Sequence, residues 1–109
     1  IKLNNGRKYV IAREGDSYSK IAGEFDISVN LLYKYNDQGI DDVLKKGDWV
    51  YVQPKKKNAD KAKLHEVKSG ETMHSISQKY GIKLNSLYKL NNFEPNTAVK
   101  TGQKIKLRK

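Results

Sequence analysis

Acidic side chains are the first candidates for chemistry in this chain. Hydrolysis of a glycosidic bond needs two carboxyl groups roughly 5–9.5 Å apart and facing one bond. Asp16 and Glu71 occupy equivalent positions in two similar halves of the chain, so each is expected to lie alone in its own half. Nothing around Asp41 or Asp42 indicates the apolar burial that a general acid needs. The sequence therefore does not predict an enzyme.

The sequence predicts neither a metal site nor a catalytic cysteine. The chain has no cysteine, so it holds neither a thiolate nucleophile nor a disulfide. His65 and His74 lie nine residues apart, which is not a metal-ligand spacing on a helix, and we expect both at the surface or at a sheet edge. No metal and no cofactor are predicted.

The composition is that of a folded and strongly basic chain. It has 109 residues, of which 37% are hydrophobic, and 22 Lys and Arg against 12 Asp and Glu give a net charge of +10. Such a charge favours an anionic partner (nucleic acid, lipid head groups or an acidic cell envelope) or is simply a soluble, lysine-rich surface. No apolar run approaches the ~20 residues of a membrane span, so no membrane insertion is expected. Because the chain starts at Ile1 without Met, we interpret it as a piece of a longer protein.

The elements that must position any site are duplicated. Sliding the sequence against itself by 55 positions aligns identical residues without a gap. The pairs are Gly15 with Gly70, Ile21 with Ile76, Ile27 with Ile82, Asn30 with Asn85, Leu32-Tyr33-Lys34 with Leu87-Tyr88-Lys89, Asn36 with Asn91, Lys45 with Lys100, and Gly47 with Gly102.

Each copy is predicted to fold as strand, helix, helix, strand. In the first copy, a β-rich run over 9–13 is followed by Gly15, a helix capped by Ser17, a second helix begun by Ser28, and a strand over 49–52. The fold class is α+β, with two tandem βααβ modules, each a two-stranded antiparallel sheet with both helices on one face. The predicted boundaries are a leader over 1–7, modules over 8–53 and 64–109, and a solvated, lysine-rich linker over 54–63.

The second copy carries the runs Gly70-Glu71-Thr72-Met73, Tyr80-Gly81-Ile82 and Leu87-Tyr88-Lys89-Leu90-Asn91. These runs, with Gly102-Gln103 before the last strand, resemble the lysin motif (LysM) family. The first copy departs from the family pattern at Tyr18 and Asp26, so the second copy is the nearer match. The chain is also similar to tandem LysM modules appended to glucosaminidase-type wall hydrolases of Bacteroidota.

The resemblance implies a non-catalytic module that binds glycans containing N-acetylglucosamine, chiefly peptidoglycan and chitin. For this chain it favours bacterial peptidoglycan, an exported location (periplasm, cell envelope or extracellular) and a tethering role for a parent protein whose other part would be the wall hydrolase. It places the ligand between the first strand–helix loop and the loop after the second helix. The ligand-binding positions so implied are Gly15, Asp16, Ser17, Tyr18, Gln38, Gly39 and Ile40 in the first copy, and Gly70, Glu71, Thr72, Met73, Asn91, Asn92, Phe93, Glu94 and Pro95 in the second.

Each of these positions also has a structural interpretation. The acidic pair Asp16 and Glu71 suits a helix N-terminus, and Ser17 and Thr72 suit helix caps. Tyr18 and Met73 begin an apolar stripe and suit a core, whereas Asn36 and Asn91 suit helix ends. We therefore expect loop backbone groups to provide most of the recognition.

Strand alternation predicts one exposed apolar face, in the first copy only. Tyr9, Ile11, Trp49 and Tyr51 are expected on the outer face of the sheet, where the second copy has Glu66, Lys68, Lys104 and Lys106. An exposed apolar sheet face usually marks a contact surface, so we expect the first copy to dock there onto a neighbouring domain.

Two alternatives remain open. Residues 76–88 also resemble a helix-turn-helix, although the second helix, over 84–90, carries one cation and both copies are flanked by strand signals. We therefore do not expect nucleic-acid binding. The other alternative is a LysM pair that keeps a structural or docking role without affinity for sugar.

Overall fold

The computed structural model describes residues 1–109 and divides them into two compact units, Ile1–Lys55 and Lys56–Lys109. The first unit contains β1 (Lys2–Asn4), β2 (Arg7–Ile11), α1 (Tyr18–Glu24), α2 (Val29–Tyr35) and β3 (Trp49–Tyr51). The second contains β4 (Leu64–Glu66), α3 (Met73–Tyr80), α4 (Leu84–Leu90) and β5 (Lys104–Lys106). The predicted α+β class with tandem βααβ modules is confirmed. None of the four helices has the length and apolar character of a membrane span.

The first unit has a third strand that the sequence analysis did not predict. Residues 1–7 were expected to form a leader, but β1 pairs antiparallel with β2, which in turn pairs with β3. The turn between β1 and β2 is Asn5-Gly6, and both residues have positive φ, 53° and 73°. An Asn-Gly pair favours this two-residue hairpin turn because both residues tolerate positive φ, and it was the sequence signal for β1.

The lysine-rich segment also differs from the expected solvated linker. The amide of Lys56 donates to the carbonyl of Gly81 at 2.9 Å, and the amide of Lys83 donates back to the carbonyl of Lys56 at 2.8 Å. Ala59 is buried in the second core, and its amide donates to the carbonyl of Leu107. The segment lies along the second unit because its backbone groups form hydrogen bonds there and the small side chain of Ala59 packs into the core.

Each unit has its own core under its helices. Apolar residues at helical spacing bury one face of each helix against the inner face of the sheet. The first core contains Tyr18, Ile21, Ala22, Leu32, Val50 and Val52. The second contains Ala59, Val67, Met73, Ile76, Ile82, Leu87, Tyr88, Ile105 and Leu107.

The same asparagine amide closes both modules, buried in the first and part-buried in the second. In the first, the Asn36 side chain donates to the carbonyls of Leu32 and Tyr51, both at 2.9 Å, and accepts from the amide of Tyr51 at 2.7 Å. In the second, Asn91 makes the matching bonds to Leu87 and Lys106. The end of the second helix is thereby fixed to the closing strand.

Replacing this amide should destabilise the first module strongly. Asn36→Ala leaves the buried amide and carbonyl of Tyr51 without this partner, at a cost of about 2–4 kcal/mol. Urea unfolding followed by the fluorescence of Trp49, the single tryptophan, reports on this unit. Asn30→Ala, an exposed change on the same helix, should stay within about 0.5 kcal/mol of the wild type. Equal stability of the two variants would contradict the role assigned to Asn36.

Candidate functional site

The first loop of the first unit is a tight turn held by its own carboxylate. The Asp16 side chain accepts from the Arg13 amide at 2.8 Å, and the Asp16 amide donates to the Arg13 carbonyl at 3.0 Å. The carboxylate also pairs with the Arg13 guanidinium at 3.1 Å and with Lys20 Nζ at 3.3 Å. The Arg13 amide, followed by its guanidinium, lowers the pKa of Asp16 from 3.8 to about 2. Asp16 thus builds the loop, while Gly15 (φ 81°) lies exposed at its tip.

The second unit builds the same loop with a different support. The Glu71 carboxylate accepts from the Lys68 amide at 2.7 Å, and Gly70 has a φ of 82°. His65 Nε2 lies 2.7 Å from the same Glu71 oxygen, and His65 Nδ1 lies 2.8 Å from the Tyr80 hydroxyl. The hydrogen bond from His65 is the main cause that lowers the pKa of Glu71, followed by the bond from the Lys68 amide.

His65 thus supports the first loop of the second unit, a role that the sequence did not predict. It was expected at the surface or at a sheet edge; it lies in β4, an edge strand of the two-stranded sheet, and is only 6% exposed. The internal repeat indicated this burial, because a shift of 55 positions aligns His65 with Val10, and strand alternation places Val10 on the inner face of the first sheet. The same shift places Tyr80 on Phe25, so an apolar pair of the first copy becomes a polar pair in the second.

The hydroxyls of the first loop serve the helices. Ser17 Oγ accepts from the Lys20 amide at 3.1 Å. Thr72 and Ser75 form a reciprocal capping box, with bonds of 3.0 Å and 2.9 Å. Ser17 and Thr72 were implied sugar ligands, and both use their side chains to satisfy free amides at a helix start.

Tyr18 and Met73 belong to the cores and not to a sugar-facing wall. They are 6% and 2% exposed, respectively. Burial raises the pKa of Tyr18 to about 12, and Gln38 of the second loop is half-buried. Each begins the apolar stripe of its helix, and that stripe has to face the core.

The second loop presents different surfaces in the two units. In the first, the Gly39 amide donates to the Asp42 carboxylate at 2.7 Å, and Ile40 and Val43 are 81% and 78% exposed. In the second, Phe93 is half-buried against the core, and the exposed tip is made of Glu94, Pro95 and Asn96. Asn92 is exposed with a φ of 56°, whereas Asn91 uses its side-chain amide on the backbone of Leu87 and Lys106.

In each unit, backbone bonds join the residue before the first loop to the residues just before the closing strand. In the first, the Gly47 amide donates to the Ala12 carbonyl and the Ala12 amide to the Asp48 carbonyl, both at 2.8 Å. In the second, Val67 makes the same pair of bonds with Gly102 and Gln103, at 2.7 Å and 2.8 Å. Most of the side chains at the implied positions hold the loops in place. The exceptions at the surface are Ile40 and the tip of the second loop in the second unit.

The arrangement suits binding better than acid catalysis. Asp16 and Glu71 have lowered pKa values, whereas a general acid needs a raised one. No group of three or more His, Cys, Asp or Glu residues could hold a metal ion. What each site offers is backbone donors and acceptors on two fixed loops, with an apolar side chain beside them in the first unit.

The predicted outer face of the first sheet is largely covered. Tyr51 is fully buried and Tyr9 is 7% exposed, which contradicts the expectation that both lie on an open docking face. The Asn4 side chain donates to the Tyr51 hydroxyl at 2.9 Å, and Lys55 Nζ lies 6.0 Å from the centre of the Tyr51 ring. The predicted leader and the start of the predicted linker supply these contacts. Of the four expected residues, Ile11 remains exposed and Trp49 remains partly so.

The lowered pKa of Asp16 predicts how the first unit responds to acid. Because the folded-state pKa lies below 3.8, the carboxylate stabilises the fold at neutral pH, and this contribution is lost as the pH falls towards about 2. Asp16→Asn should therefore have a flatter dependence of its urea midpoint on pH than the wild type, between about pH 7 and pH 3. Glu14→Gln removes the same charge from an exposed neighbour and controls for net charge. Parallel profiles for Asp16→Asn and the wild type would show that the Asp16 contacts do not hold the loop.

Known proteins are similar to this chain over most of its length. The chain is 30% identical to an autolysin of Enterococcus faecalis (strain ATCC 700802 / V583) over 95% of its length, and it spans 15% of the length of that protein. Among solved structures, it is similar to the spore cortex-lytic enzymes SleL of Bacillus cereus (26% identity, TM-score 0.42) and Bacillus megaterium QM B1551 (19% identity, TM-score 0.39). Each comparison covers 94% of this chain and 22% of the other.

The family match covers both modules. The LysM domain family matches residues 10–48 and 65–108, which are the segments that carry the paired loops in each unit. The chain therefore belongs to the LysM domain family.

Proposed function

We propose that the two modules bind glycans containing N-acetylglucosamine, chiefly peptidoglycan, without cleaving them. In this role they tether an exported parent protein to the bacterial cell wall. LysM domains generally bind such polymers, and the relatives include an autolysin and spore cortex-lytic enzymes. The proposal rests above all on the way both units build their loops.

That construction leaves backbone groups as the natural ligands. Asp16 and Glu71 fix the first loops from within, and Gly15 and Gly70 keep the loop tips free of side chains. An N-acetyl group has one amide donor and one carbonyl acceptor, and backbone groups on two rigid loops can match both. Because the loops are already ordered, little conformational entropy is lost on binding.

The first module has an apolar wall for the acetyl methyl group. The sequence analysis favoured the second module as the nearer match to the family, but Ile40 is exposed beside the loops of the first. The corresponding apolar group in the second module, Phe93, is half-buried. We therefore propose that both modules bind, and that the acetyl group contacts Ile40 in the first.

Two weak sites suit a polymeric ligand. Each sugar buries little area, so at ~25 cal/mol/Å² one module gains only a few kcal/mol before association costs. Two modules on one glycan chain raise the effective concentration of the second site. The pair would hold the wall firmly although each module binds weakly.

The direct test is a titration with chitooligosaccharides followed by backbone amide NMR shifts. Binding at the loops should shift the amides of residues 14–18 and 37–42 in the first module, and of residues 69–73 and 92–97 in the second. Absence of any response in both modules would remove the carbohydrate function and leave the structural or docking alternative.

Ile40→Ser tests the apolar wall. Losing about 30 Å² of buried apolar contact costs ~0.8 kcal/mol, which weakens binding by the first module about three- to fourfold. Leu3→Ser removes an equally exposed apolar side chain from β1, away from the loops, and should leave the affinity unchanged. If the two variants bind alike, Ile40 does not contact the sugar.

A further inference from the structure

The positive charge of the chain is concentrated in one unit. Residues 56–109 hold 13 of the 22 Lys and Arg and 4 of the 12 Asp and Glu, a net charge of +9, whereas residues 1–55 carry +1. Duplicated modules with one shared ligand do not need such a difference. Like charges in one compact unit repel each other, and an anionic ligand bound there would offset this repulsion.

A cleft of about 260 Å³ in the second unit collects part of this charge. It is lined by Lys57, Asn58, Ser86, Lys89, Leu90 and Lys109. All three lysines are exposed, and none forms an ion pair with an acidic group. Of the four acidic residues of the unit, Asp60 pairs with Lys56, Glu66 with Lys104, and Glu71 with His65, and none lines the cleft.

The walls of this cleft are fixed. Before Lys57, the backbone amide and carbonyl of Lys56 both form hydrogen bonds with the turn between α3 and α4. After Lys57, Ala59 is buried in the core. The Lys109 amide donates to the Asn58 side-chain oxygen at 3.0 Å. A lysine-rich segment is therefore held against an already positive unit, close to Lys89 on α4.

We propose that this cleft binds a phosphodiester group of an anionic polymer that accompanies the glycan. Several ammonium groups around a small cleft suit the oxygens of a phosphate, which lysine binds as a point charge. The Ser86 hydroxyl adds a neutral donor. No aromatic ring lines the cleft to stack a base, and Leu90 is its single apolar side chain, so neither single-stranded nucleic acid nor a membrane surface fits as well.

The cleft is separate from the paired loops of the proposed glycan site. None of the lining residues belongs to the loops around Gly70 or Asn92. Phosphate binding and sugar binding can therefore be measured on their own.

The probe is a short poly(glycerol phosphate) chain, with its affinity measured against the full chain at low salt. Lys89→Glu and Lys57→Glu should each weaken its binding at least about fivefold. Each variant should also reduce the slope of log K against log salt concentration by about one, as expected for a lost phosphate contact. Lys89→Gln, which adds no repulsion, should lose less affinity than Lys89→Glu.

The first module provides the matched control. Lys34 is the repeat equivalent of Lys89, and both are exposed in the last turn of their helix, where a cation favours the helix end. Lys34→Glu repeats any helix effect outside the cleft and should change the affinity less than twofold. Binding of chitooligosaccharides by Lys89→Glu should equal that of the wild type. If the wild type does not bind chitooligosaccharides, this result contradicts the proposed glycan binding and leaves the proposed phosphate site unaffected.

Three results would overturn the phosphate site. The first is an equal loss of affinity in Lys34→Glu and Lys89→Glu, which would indicate diffuse attraction. The second is equally tight binding of polygalacturonate, which would remove the preference for phosphate over carboxylate. The third is tighter binding of a single-stranded DNA of equal charge, which would make nucleic acid the ligand.

Discussion

The side-chain amide of the asparagine that ends the second helix attaches this helix to the closing strand in each module. The side chains of Asn36 and Asn91 each form hydrogen bonds with both the preceding helical turn and the closing strand. A strand of three residues has few ladder bonds of its own, so these contacts supply much of its attachment. The second loop begins at the same asparagine, and its other end is bonded to the root of the first loop. The asparagine thereby anchors the start of the second loop to the closing strand.

The two copies share this framework and differ in what surrounds it. The first loop is supported by a salt-bridged aspartate in one unit and by a glutamate bonded to a buried histidine in the other. The first unit adds β1, which helps to cover Tyr51, and the buried Lys55, whose ammonium lies 2.7 Å from Asp37. The second unit carries almost all of the excess charge. The side chains around the loops differ between the two units, whereas the backbone geometry of the loops is the same. We expect this pattern if the loops bind the same ligand and the other faces have separate roles.

Local signals in the sequence predicted the repeat, the helices and the caps at Ser17 and Thr72, because these depend on neighbours a few residues apart. Ser28 begins its helix as predicted but makes no side-chain capping bond. They also identified the loops, but they did not tell which side chains face outwards. Tyr18 and Met73 proved to be core, and Tyr9 and Tyr51 proved to be covered. These outcomes depend on contacts between distant segments, such as that of Asn4 with Tyr51. The Asn5-Gly6 pair was a sequence signal against a leader over 1–7, and the alignment of His65 with Val10 was a signal for its burial.

The central claim is that backbone groups of paired loops bind the glycan itself, and that the positive charge is secondary to this. It is tested most directly by co-sedimentation with insoluble peptidoglycan from which phosphate polymers have been removed, at about 0.05 M and about 0.5 M salt. Hydrogen bonds and apolar contacts with sugar are weakly screened, so we predict binding that survives the higher salt. Binding that disappears at the higher salt, and that DNA of equal charge reproduces at the lower, would reduce the interaction to simple electrostatics and contradict the account.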